Sequence, residues 1–183
     1  MAKRKVSDHH KNKAEAPVPK GRLLAIGGKE SKGNGEELKP EQTGNTEFES
    51  EEILKFFVGE LKGTNPTVAV IPTASNIPDV MGKEYTRVLK ELGVSNVEVL
   101  DIRSRDDARE QHYYEIVEKA SAIYFTGGDQ LRLTSILGGS SLLQLMKERF
   151  TYEDILVAGT SAGATALSTP MMYGADTKGG FLK

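Results

Sequence analysis

Short, uninterrupted apolar runs alternate along the chain with segments whose apolar residues recur at helical spacing. Arg22-Leu23-Leu24-Ala25-Ile26-Gly27-Gly28 is a run closed by a glycine pair, the form of a buried strand entering a loop. Ile53, Leu54, Phe57, Val58 and Leu61 share one helical face, which predicts a helix with Ser50 as N-cap, Glu51 and Glu52 in its first turn and Gly63 at its end. Thr67 to Pro72 is a second apolar strand, followed by a helix with a stripe of Tyr85, Val88, Leu89 and Leu92, closed by Gly93. Val97 to Ile102 reads as a third strand and Asp106 to Lys119 as a third helix. Ala122 to Thr126 is a fourth strand. Leu131 to Leu137 begins a helix that Gly138 and Gly139 break, and Ser140 to Phe150 forms another. Ile155 to Gly159 is a fifth strand, leading into a turn at Ser161 and a helix of small residues.

Strands without polar alternation, each followed by a helix, require a mainly parallel sheet with helices on both faces, because crossovers of one hand carry helices to each side. The predicted class is a doubly wound α/β fold, with no internal repeat. In such sheets ligands bind beyond the carboxyl ends of the strands. Three glycine-marked loops meet that requirement: Gly27-Gly28, Gly127-Gly128-Asp129-Gln130 and the turn at Ser161.

Length and charge narrow the picture. With 183 residues and ordinary hydrophobic content the chain suits one domain with a real core. Residues 1–20 carry Lys3, Arg4, Lys5, Lys11, Lys13 and Lys20 against Asp8 and Glu15, and read as a solvated, disordered basic tail rather than an arm for an acidic polymer. Residues 21–183 are then the α/β domain, interrupted by a polar loop at 29–50 without periodicity. The tail lacks an apolar run after its charges, so it fails as a secretory signal. No stretch approaches the roughly 20 apolar residues of a membrane helix, which points to a cytoplasmic protein without membrane contact. A net charge of −2 offers no global reason for nucleic-acid binding. Cysteine is absent, which excludes disulfides, thiolate metal sites and cysteine nucleophiles.

Gly159-Thr160-Ser161-Ala162-Gly163 matches G-x-S-x-G between a strand and a helix, the setting of a nucleophile elbow. Small flanking residues let the chain turn sharply and lift the Ser161 hydroxyl above the sheet edge, while the Ala162 amide is placed to donate to an oxyanion. The competing reading is a tight turn with a capping serine. In the fourth-strand loop, Gly128 permits close approach of a substrate, Gln130 suits the main chain of a peptide and Asp129 a cationic group. A helix N-cap at Asp129 with Gln130 exposed fits the spacing as well. A serine nucleophile needs a base, usually histidine. The three histidines are His9 and His10, in the tail, and His112, in the third helix, where a solvent-facing histidine is the commoner case.

Ala122 to Thr134, containing Gly127-Gly128-Asp129-Gln130-Leu131-Arg132-Leu133-Thr134, together with Ala158 to Ala164, strongly resembles the cyanophycinases. Val70 to Ser75 fits their second-strand signature and Gly27-Gly28 their first loop. The wider group includes peptidase E, an aspartyl dipeptidase, within the class I glutamine-amidotransferase-like, flavodoxin-like fold. The resemblance implies a serine exopeptidase that cuts cyanophycin, an arginine-bearing poly-aspartate, into β-aspartyl-arginine dipeptides. Ser161 would be nucleophile, Gly128, Asp129 and Ala162 would surround the oxyanion, and Gln130 would bind substrate. No metal or organic cofactor is implied, and the family commonly forms homodimers. Family members carry the base histidine in an Asp-Gln-His segment some tens of residues past the serine, so the expectation is that this chain is an N-terminal portion, inactive alone, with no general base of its own. An α-aspartyl dipeptidase and a non-catalytic amidotransferase-like binding module are the alternatives; Asp129-Gln130, where peptidase E is expected to have Asn-Thr, favours cyanophycin.

Overall fold

A computed structural model of the protein describes residues 17–28, 32 and 51–171. Five strands form one parallel sheet in the order β1-β5-β4-β2-β3. They are β1 (Arg22–Ile26), β2 (Thr67–Ile71), β3 (Asn96–Val99), β4 (Ala122–Phe125) and β5 (Leu156–Thr160). The helices are α1 (Glu52–Gly59), α2 (Pro78–Glu91), α3 (Gln111–Lys119), α4 (Gln130–Leu137), α5 (Ser141–Tyr152) and α6 (Ala162–Ala166). The expected doubly wound α/β architecture is what the chain adopts.

Alternate strand residues point to opposite faces, and the two faces carry separate cores. Val68 and Val70 of β2, Tyr124 of β4 and Ala158 of β5 pack under α1 and α2 through Leu54, Phe57, Tyr85, Val88 and Leu89. Ala69, Ile71, Ile123, Phe125 and Val157 pack on the other face with Val117 of α3, Leu133 of α4, and Leu142 and Met146 of α5. From β1 to β3 the chain crosses the sheet one way with α1 and α2 on one face. From β3 to β5 it returns with α3, α4 and α5 on the other, as crossovers of a single hand demand. Phe57 sits edge-on to Tyr124, ring centroids 5.1 Å apart, and so anchors α1 to the middle of the sheet. Exposed apolar side chains gather near the β1 edge, with Leu23 on the strand and Ile53 and Phe56 on α1.

Several boundaries differ from the sequence reading. The predicted third helix is split: Asp107–Arg109 forms a 3-10 turn, Glu110 is extended, and α3 begins only at Gln111. The Asp107 carboxylate accepts from the amides of Arg103 and Ser104 at 2.8 and 2.9 Å, a local side-chain bond that competes with helix. β3 stops at Val99, although Leu100 still donates to the Val70 carbonyl at 2.9 Å before the chain turns. α1 ends at Gly59, and Gly63, with φ 94°, serves the turn that follows. Ser50, residues 1–16 of the basic tail, and the 29–50 loop apart from Lys32 lie outside the described residues. Among the described residues no helix is long and apolar enough to cross a membrane.

Two outcomes follow from this packing. Phe57→Ala should lower unfolding free energy by about 3–5 kcal/mol in urea denaturation, since it empties a fully buried aromatic site. Asp154 accepts hydrogen bonds from Lys62 and from Arg22 at the start of β1, and the Lys62 bond, then the Arg22 bond, hold its pKa below the ordinary carboxylate value. A lowered folded pKa gives stability above the unfolded value, near pH 4, that is lost as pH falls through the folded one. The wild-type advantage in urea midpoint over Asp154→Asn should therefore be present at pH 7 and shrink towards pH 2.

Candidate active site

β5 leads directly into α6 through Ser161, whose backbone has φ 50° and ψ −111°. Glu51 is the other non-glycine residue with positive φ among the described residues. Such a conformation costs about 1–3 kcal/mol and persists only where its surroundings over-determine it. Here the Ser161 amide donates to the Ile26 carbonyl of β1 at 2.9 Å, and the Ser161 carbonyl accepts from the amide and hydroxyl of Thr165 at 2.9 and 3.0 Å. The serine is fixed from both sides while its side chain is exposed and makes no capping bond. The capping-serine reading thus finds no bond to rest on. Ala162 is buried at the first position of α6, where an amide has no partner within the helix.

The flanking glycines are needed for contact. A Cβ on Gly159 would lie 2.6 Å from the Gly163 carbonyl carbon, and one on Gly163 would overlap the Phe125 carbonyl oxygen at the end of β4. G-x-S-x-G therefore records how closely α6 packs on β5 and β4.

β4 lies beside β5, which brings the Gly127-Gly128-Asp129-Gln130 loop against the serine. A Cβ on Gly127 would stand 3.5 Å from that of Ser161. Gly128 has φ 146° and presses on the Ala74 carbonyl, which also accepts from the Asp129 amide at 2.8 Å. The Asp129 carboxylate accepts from the amides of Leu131 and Arg132 at 2.8 and 3.3 Å, so it caps α4. Of the two roles the sequence left open for Asp129, capping is the one its carboxylate performs here. Gln130 is half-buried at the start of α4 and accepts through its carbonyl from the Thr134 hydroxyl at 2.9 Å. Gly27-Gly28 ends β1 on the other side of β5, where Gly28 accepts from the Thr160 hydroxyl at 3.3 Å. The three glycine loops therefore close around one point at the carboxyl edge of three adjacent strands.

Sequence reasoning gave no role to the loop after β2 or to Arg132. Arg132 donates to the Ser75 carbonyl at 2.7 Å and to Asn76 Oδ1 at 2.5 Å, tying α4 to that loop. Their signal was the Val70 to Ser75 and Gly127 to Thr134 stretches themselves, whose residues are distant in the chain and adjacent only in the sheet.

No described histidine stands beside Ser161. His112 pairs with Glu110 at 3.2 Å and packs on the Tyr113 ring, centroids 3.9 Å apart. It follows β3, and β4 and β2 separate that strand from β5, a span of about 14 Å at the usual strand spacing. His9 and His10 lie outside the described residues. Among the described residues the arrangement presents an exposed serine beside backbone amides, with no histidine at hand.

Comparison with known proteins fits this geometry. The model of peptidase family S51 matches residues 42–179. A cyanophycinase of Geminocystis herdmanii is 35% identical over 155 residues, 85% of this chain and 52% of the relative. A cyanophycinase of Trichormus variabilis is 33% identical over 152 residues, 83% of this chain and 46% of the relative. The chain thus spans about half the length of the curated relatives it matches. Among solved structures, a peptidase from an acI-B1 Actinobacterium aligns with a TM-score of 0.59 at 28% identity, over 81% of this chain and 57% of that one.

The glycine contacts predict a contrast. Gly163→Ala and Gly128→Ala should each destabilise by about 1–3 kcal/mol, the first through overlap with the β4 backbone and the second through its positive φ and the Ala74 carbonyl. Gly27→Ala, with no neighbour within 4 Å of the added methyl among the described residues, should stay within about 0.5 kcal/mol of wild type in the same urea titration.

Proposed function

The chain belongs to peptidase family S51, and from that premise we propose that it carries the nucleophile of a cyanophycinase-type serine exopeptidase, which releases β-aspartyl-arginine dipeptides from cyanophycin. The observation that carries this reading is the Ser161 backbone, held at positive φ between Ile26 and Thr165, with the side chain exposed beside the Gly127-Gly128 loop. The likeness to cyanophycinases and the Asp129-Gln130 pair after the glycines support the choice of substrate.

The Ser161 Oγ attacks the scissile carbonyl carbon as a histidine from outside the described residues takes its proton. The oxyanion of the tetrahedral intermediate accepts from the amides of Ala162 and Gly128. Collapse breaks the C–N bond, the histidine returns the proton to the leaving amine, and water then cleaves the acyl-serine ester by the same steps. Gln130 holds the main chain of the substrate. Asp129 serves by fixing the loop, since its carboxylate is engaged in capping. On this reading the full-length protein works in the cytoplasm as a homodimer, without metal, cofactor, nucleic acid or membrane.

A release assay on the full-length protein tests it, with cyanophycin and an α-aspartyl dipeptide offered in parallel. Liberation of β-aspartyl-arginine from cyanophycin is expected, falling at least about 10³-fold in Ser161→Ala. Turnover of the α-dipeptide alone would overturn the substrate, and undiminished release by Ser161→Ala would overturn the nucleophile.

A further inference from the structure

At two places in the sheet, neighbouring strands that are not consecutive in the chain send their next helices to opposite faces. β1 and β5 are one such pair, and Ser161 stands at its end. β2 and β4 are the other: α2 packs on one face and α4 on the opposite one. Crevices at the carboxyl ends of such pairs are where open α/β sheets hold ligands, and nothing in the acyl chemistry of Ser161 uses the second.

That second crevice is a cleft of about 270 Å³ whose polar lining is Thr73, Ser75, Asn76, Arg103 and Arg132. Among the described residues two guanidinium groups line it and no carboxylate does. Their situations differ. Arg103 is neutralised: it donates to Asp101 from Nε at 2.8 Å and to Asp79 from Nη2 at 2.5 Å, and Asp101 first among its partners raises its pKa. Arg132 meets only neutral acceptors, the Ser75 carbonyl and Asn76 Oδ1. Its guanidinium is thereby fixed in orientation and half-buried, without a counter-charge among the described residues. Two of its five N–H groups are used, which leaves a planar donor fork of the kind that matches a carboxylate. The Ser75 hydroxyl accepts from the Ile77 amide at 3.0 Å and keeps its own proton to donate.

We infer that this cleft is a subsite for a carboxylate of the peptide substrate, bound by Arg132 with help from Ser75. The inference rests on the peptidase reading of Ser161. β2 lies two strands from β5, about 10 Å away, so the bound carboxylate belongs to the substrate about three extended residues from the scissile carbonyl, or to the tip of a branched side chain.

Backbone amide NMR of the chain during titration with tetra-aspartate and with tetra-asparagine, both amidated at the C-terminus and at matched ionic strength, tests this. Tetra-aspartate should shift the amides of Ser75, Asn76 and Arg132, and tetra-asparagine should leave them in place. Asn76→Asp sets an internal carboxylate against Arg132 and should weaken tetra-aspartate binding at least ten-fold with the melting temperature retained; Arg132→Met should weaken binding as much. Equal responses to the two peptides, or undiminished binding in Asn76→Asp, would overturn the subsite. Cleft shifts without any at Gly127, Gly128, Ser161 and Ala162 would uphold the anion site and count against the peptidase reading, and shifts confined to those four residues would do the reverse.

Discussion

The hydrogen bond from the Ser161 amide to the Ile26 carbonyl is the constraint on which the site depends. It extends the β1–β5 ladder by one residue past the last regular strand position and, with Thr165 gripping the Ser161 carbonyl from α6, leaves the serine no route back to negative φ. A strained residue held in this way keeps its side chain clear of the sheet without any bond from the side chain itself. The cost falls on the neighbours, which must be small: Gly159 and Gly163 let α6 lie against β5 and β4, and an added methyl at either would meet backbone that has nowhere to move.

A second layer of constraint spreads from there across the sheet. Gly127 leaves no room for more than a methyl beside the serine, Gly128 leaves none beside the Ala74 carbonyl, Asp129 caps α4 and bonds to Ala74, and Arg132 bonds to Ser75 and Asn76. Thr73 continues the series by donating to the Ile102 carbonyl at 2.8 Å. The carboxyl-edge loops of β5, β4, β2 and the segment after β3 are therefore linked one to the next. Preorganised amides are worth more to acyl chemistry than mobile ones, and this linkage supplies rigidity where the chain would otherwise be loop.

The strands and most helices were legible because burial on both faces imposes continuous apolar runs, and packing on one face imposes helical stripes. Val68 to Ile71 and Leu54 with Phe57 show this directly. What the chain conceals is adjacency. The placement of β5 between β1 and β4 is set by crossover handedness and by pairing of residues far apart in sequence, so the contact of Gly128 with Ala74 has no local signal. Asp107 misled for another reason: its short side chain bonds back to the amides of Arg103 and Ser104 where the pattern reads as continuous helix, whereas Asp129 caps α4 through Leu131, one of the two roles its spacing allowed. Arg132 reads on paper as one more exposed helical cation, and only the bend of the β2 loop makes it a brace.

Reaction of the full-length protein with a fluorophosphonate, followed by peptide mass spectrometry, tests the central claim most directly. An activated serine held in this turn should take up one phosphonyl group at Ser161, with none in Ser161→Ala. A preparation that cleaves cyanophycin while Ser161 stays unmodified, or that is labelled at another serine, would contradict the account.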